Sequence, residues 1–101
     1  MEIVDIQKAK NVSINMGEAK IHISYIAKIR LKVKNKEIEI EENLWQDLPF
    51  QYSTDDGLRN LELIEHTMNI LENKMNEIIE KIRKTFTNLE QILEKYGYQV
   101  L

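Results

Sequence analysis

The residues in this chain best suited to metal or proton chemistry are its two histidines, His22 and His66. An imidazole coordinates metal through one ring nitrogen and titrates near neutral pH, but either role needs a second group at a defined spacing. His66 has one, because Glu62 lies four residues before it and would share its face on a helix. No third ligand has a matching spacing, and the H-E-x-x-H pairing of zinc proteases does not occur. Both histidines are therefore expected to be solvated side chains, with no metal bound.

Carboxylates come next, in Glu37, Glu39, Glu41, Glu42 and the pair Asp55–Asp56. A general acid or base needs a desolvated setting that moves its pKa toward neutrality. These groups sit in the most polar parts of the chain, and Asp55–Asp56 reads better as helix-start chemistry. With no cysteine and only three glycines, a thiol nucleophile, a disulfide framework and a glycine-rich phosphate loop are all excluded. The expectation is a protein that is not an enzyme, with no catalytic residue and no cofactor.

Two basic clusters raise the question of nucleic acid: Lys28, Arg30, Lys32 and Lys34, then Lys81, Arg83 and Lys84. The first is followed by the glutamates of residues 37–42 and the second is preceded by Glu77 and Glu80. No aromatic residue is interleaved to stack a base, and the formal charge of −3 does not attract a phosphate backbone. Nucleic-acid binding through the basic strand face is the alternative reading, not the favoured one.

The segment NLWQDLPFQY, residues 43–52, concentrates Leu44, the single Trp45, Leu48, the single Pro49, Phe50 and Tyr52. Read as a loop, it has two uses. Leu44, Trp45, Leu48, Phe50 and Tyr52 either plug one end of the core, the favoured reading, or form a partner-binding surface of the kind rich in aromatic residues.

The elements that must position these residues follow from periodicity. From Ile21 to Val33 every odd position is apolar or small, the pattern of a strand with one buried face. Its length predicts a bend or bulge near Ile26–Ala27. After Asn35–Lys36 the parity flips, with Ile38 and Ile40 apolar between Glu37, Glu39 and Glu41. A two-residue turn at Asn35–Lys36 would set Lys34 opposite Glu37, Lys32 opposite Glu39 and Arg30 opposite Glu41. Upstream, Val12, Ile14 and Met16 alternate with polar residues. A loop over Gly17–Lys20 would set Met16 against Ile21 and Val12 against Tyr25. The result is an antiparallel β-meander over 11–42, three-stranded, or four-stranded if MEIVDIQ adds an edge strand.

The rest is helical. Residues 58–96 contain no proline and no glycine, and Gly97 follows as a stop. Ser53 or Thr54 supplies an N-cap. Spacings of three and four run along Leu61, Ile64, Met68, Leu71, Met75, Ile78, Ile82, Thr85, Leu89, Ile92 and Tyr96. That is a coiled-coil seam, widened by Leu63 and Ile70 early and by Ile79, Phe86 and Leu93 later. A helix over 55–96 would span about 60 Å, beyond a sheet of short strands, so either it breaks near Lys84–Asn88, where propensity is weakest, or, as favoured, its overhang packs on a second chain. The overhang predicts a homodimer through Ile78, Ile82, Phe86, Leu89 and Leu93.

At 101 residues, 43% hydrophobic and 31% charged, the chain fits a single α+β domain and is too apolar for disorder. The N-terminus lacks a signal-peptide pattern and no apolar run is long enough to span a membrane. A cytoplasmic protein with no membrane association is expected. Taken together, the sequence predicts a small adaptor, assembly factor or inhibitor that binds another protein. The Ile-, Lys-, Glu- and Asn-rich composition of AT-rich coding sequence adds the expectation of a phage or mobile-element origin.

Overall fold

The computed structural model describes residues 2–33, 35–52 and 56–100. Three strands, β1 (Glu2–Asn15), β2 (Lys20–Val33) and β3 (Lys36–Pro49), precede one helix, α1 (Asp56–Lys95). The strands form an antiparallel meander in the order β1-β2-β3, and α1 covers one face, giving an α+β fold. The alternation in β2 decides which face. Ile21, Ile23, Tyr25, Ala27, Ile29 and Leu31 are buried, while Lys28, Arg30 and Lys32 on the opposite face are exposed. The first seven residues, MEIVDIQ, add no fourth strand. From Glu2 onward they are the start of β1, which pairs continuously with β2 apart from an irregularity between Ile3 and Asp5. Neither ladder shows a register shift at Ile26–Ala27, so the expected bulge is absent there.

Both hairpins keep the predicted faces but are shifted by two residues from the predicted registers. β2 and β3 pair Val33 with Lys36, Lys32 with Glu37, Arg30 with Glu39 and Lys28 with Glu41. The expected Lys34–Glu37 pair lies outside the described residues. β1 and β2 pair Ile14 with Ile21 and Val12 with Ile23 across a turn over residues 16–19. A shift of two preserves side-chain parity, so hydrophobic patterning does not oppose it. In the β1–β2 hairpin, turn chemistry decides instead. The Asn15 carboxamide accepts from the Glu18 N–H at 3.2 Å, the Ala19 N–H donates to the Met16 carbonyl at 3.3 Å, and Ala19 adopts φ 53°.

Strand length overturns the argument for a short sheet. At about 3.3 Å per residue, strands of 14 residues run roughly 46 Å, and the molecule extends 66 × 20 × 18 Å. The aromatic segment is mostly strand, because β3 continues through Leu44, Trp45 and Leu48 to Pro49. α1 then starts beside the end of β3 and runs back along β2. Asn60 is buried and ties the two together, accepting from the Gln51 N–H at 3.1 Å and donating to its carbonyl at 3.4 Å. The helix is unbroken through Lys84–Asn88. It ends where Gly97 takes φ 85°, with the Tyr98 N–H on the Leu93 carbonyl at 2.9 Å and the Gly97 N–H on that of Glu94 at 3.1 Å. This is the paired-bond Schellman stop that favours glycine. The expected cap at Ser53 or Thr54, and Asp55 beside it, lie outside the described residues.

The core is the buried row of β2 against Met68, Leu71, Met75 and Ile79, with Leu48 at one end and Ile3, Ile6, Ile40 and Ile82 around it. Among the described residues the Tyr25 hydroxyl is the buried side-chain polar atom without a partner. Burial and the nearby Glu72 carboxylate raise its pKa, opposed by Lys10.

Candidate functional site

Among the described residues nothing covers the sheet face away from α1, which divides into two halves. At the hairpin end, β2 presents Lys28, Arg30 and Lys32 between Glu41, Glu39 and Glu37 of β3 and Gln7, Asp5 and Glu2 of β1. The basic row is thus flanked by acids on both sides. No ion pair within 4 Å joins these rows among the described residues, so their complementarity acts through the field rather than through fixed bonds. The second basic cluster is exposed, and Arg83 lies 3.9 Å from Glu80.

The other half is neutral and aromatic. Trp45 faces Ser24, and one step along the ladder Asp47 faces His22. His22 Nδ1 and Asp47 Oδ1 are 2.6 Å apart, and the imidazole stacks on the Trp45 ring at 5.7 Å between centroids. The two rings lie over the face and help explain why Ser24 is buried without a helix above it. His22 is therefore not a free surface imidazole, whereas His66 and Glu62 are both exposed on α1. Asp47 was not singled out in the sequence. The available signal was that Leu44 and Leu48 keep the parity of Ile38 and Ile40, which extends β3 and puts Asp47 on the face of His22; that the two stand opposite each other depends on the observed register.

The aromatic-segment residues on β3 separate by strand parity, while Phe50 and Tyr52 lie beyond the strand. Leu44 and Phe50 pack partly buried against the core and Leu48 is buried in it, as a plug requires. Trp45 remains 61% exposed, and Tyr52 is exposed beyond β3 with its ring 5.4 Å from that of Phe50. Trp45 therefore does not plug the core. Trp45→Ala is expected to cost less than ~1 kcal/mol in chemical denaturation, against ~3–5 for a buried tryptophan. A loss in the larger range would place the indole in the core.

On α1 the seam is only partly used by the sheet. A straight helix presents a contact stripe with a period of 3.6 residues, whereas the seam repeats every 3.5, so the two diverge by ~20° per heptad. From Leu71 to Tyr96 the divergence reaches roughly 70°. The seam residues Met68, Leu71 and Met75 are buried. Further along, the sheet takes Ile79, Ile82 and Phe86 instead, and Leu93 turns toward Val33 and Val100. Left over, besides Leu61 at the start of the seam (48% exposed), are Thr85, Leu89, Ile92 and Tyr96, with Leu89 48%, Ile92 53% and Tyr96 74% exposed. Of the predicted self-association set, Ile78, Ile82, Phe86 and Leu93 are partly covered, and Leu89, which borders the same cavity as Phe86 and Leu93, is the most exposed.

The apolar cavity between Val33, Phe86, Leu89, Leu93 and Val100 measures about 70 Å³, small beside the ~300–1,000 Å³ of ligand sites. Among the described residues no three His, Cys, Asp or Glu side chains converge to hold a metal ion. No described helix is long and apolar enough to cross a membrane. No family model, no curated protein and no solved structure matches the chain.

Proposed function

We propose that this chain is a non-catalytic protein-binding module that self-associates through α1, serving as an adaptor, assembly factor or inhibitor of another protein. The observation that carries the reading is the exposed Thr85, Leu89, Ile92 and Tyr96 row. Its 4-3-4 spacing is that of a helix–helix seam. Solvent-exposed apolar rows of this kind are usually covered, and a second copy of the same helix supplies a matching one. Trp45 and Tyr52 supply exposed aromatic area for a different protein.

Sedimentation equilibrium tests the self-association. The native chain should gain average mass across micromolar concentrations, and Leu89→Lys with Ile92→Lys should remain monomeric, because charge is then buried unpaired. Both positions are already about half in water, so the double variant should keep its helical content. A native chain that stays monomeric at every concentration would defeat the reading.

A further inference from the structure

We propose that the free edge of β3 receives an extended segment of another protein in which Lys or Arg alternates with aliphatic residues. The inference rests on the protein-binding reading but not on self-association.

The sheet order leaves two edges, and they are unlike. Along β1, Lys8 Nζ donates to Asn76 Oδ1 and Lys10 Nζ meets Glu72 Oε2, each at 3.4 Å, so side chains link that strand to the helix above it. Among the described residues no side-chain bond links α1 to β3 itself; the Asn60–Gln51 pair lies just past its end. That pair also marks which flank of α1 overhangs β3. Leu63, Ile70 and Ile78 lie on this flank, interrupted by Lys74, and Ile38 is exposed on the same side of the strand. On the other side of β3 stand Glu37, Glu39, Glu41 and Asp47, with the exposed Trp45 among them.

The edge is therefore bounded on one side by Ile38, Ile40, Leu44 and Leu48, with Glu42 and Gln46 between them, under the largely apolar flank of α1, and on the other by carboxylates and an indole. β2 shows what fits such a strand. On β3's paired edge it sets Lys28, Arg30 and Lys32 against the glutamates and Ile29 and Leu31 against Ile40 and Ile38. Those cations are shared with Glu2 and Asp5 of β1, which leaves the acidic excess on β3. An added strand gains main-chain hydrogen bonds along the edge, while its alternating side chains set specificity. An arginine or lysine reaching Trp45 gains a cation–π contact. The same glutamates oppose pairing of one β3 with another, so this edge discriminates against a second copy of itself.

Titration with synthetic 12-residue peptides, followed by the fluorescence of the single tryptophan, is the test. A Lys–Val repeat should bind saturably. A Lys–Pro repeat of equal charge, which cannot form a ladder strand, should bind at least ~10-fold more weakly. Glu39→Lys with Glu41→Lys should weaken the Lys–Val repeat ~10-fold or more, as facing charges change from attraction to repulsion. No saturable binding of the Lys–Val repeat overturns the proposal, and so does equal binding of the Lys–Pro repeat, which would mean charge alone. A chain that fails here yet dimerises in the ultracentrifuge loses the edge site while keeping the proposed function.

Discussion

Met75→Ala should lower stability by about 2–5 kcal/mol, measured by urea denaturation with helix content as the signal. Met75 is fully buried midway along α1, in the cluster formed with the apolar row of β2. Truncating it removes the transfer energy of its side chain and leaves a cavity that a long, rigid helix closes poorly. For a domain of this size, such a loss corresponds to a drop in Tm of ~4–8 °C per kcal/mol. Leu89→Ala, measured under dilute monomeric conditions, should change stability far less, since about half of that side chain is already in water. Equal costs at the two positions would contradict the divergence of seam and contact stripe.

Asn60→Leu should cost about 1–3 kcal/mol despite its similar volume. The Asn60 carboxamide satisfies both the N–H and the carbonyl of Gln51 from a buried position, at the point where β3 hands the chain to α1. Leucine leaves both backbone groups without that partner, and each buried polar group stripped of its bond carries a desolvation penalty. Asn60→Asp retains the acceptor but not the donor, and should fall between the native chain and Asn60→Leu. A neutral Asn60→Leu would show that water satisfies Gln51 in place of the side chain.

The parts of the fold that could be read in the sequence are those encoded by parity and period. Ile21 to Leu31 had to share a face because side chains alternate along a strand, and a long helix followed from the absence of glycine and proline, although its continuity through Lys84–Asn88 did not. Register was harder. Pairing Lys32 with Glu37 or with Glu39 leaves cations opposite acids and isoleucines opposite aliphatics, so patterning does not discriminate; in the β1–β2 hairpin the turn around Asn15 and Ala19 does. The tail of β3 was hidden by its composition. Trp45 and Pro49 resemble loop residues, yet Leu44 and Leu48 continue the inward parity of Ile38 and Ile40. Which seam residues stay exposed depends on how far the sheet runs beneath the helix. That distance became visible only once β3 extended to Pro49 and β1 began at Glu2.

Thiol labelling, which the cysteine-free chain permits at single introduced positions, reads self-association through this seam directly. Ile92→Cys and Phe86→Cys place one thiol on the leftover seam and one on the stripe packed against the sheet. Labelling rates of each would be followed from nanomolar to high micromolar protein. The Ile92 position should react rapidly when dilute and become protected as concentration rises, while the Phe86 position stays slow throughout. An Ile92 thiol that reacts equally fast at every concentration would contradict self-association through this seam. One as slow as Phe86 even at the greatest dilution would contradict its exposure in the single chain.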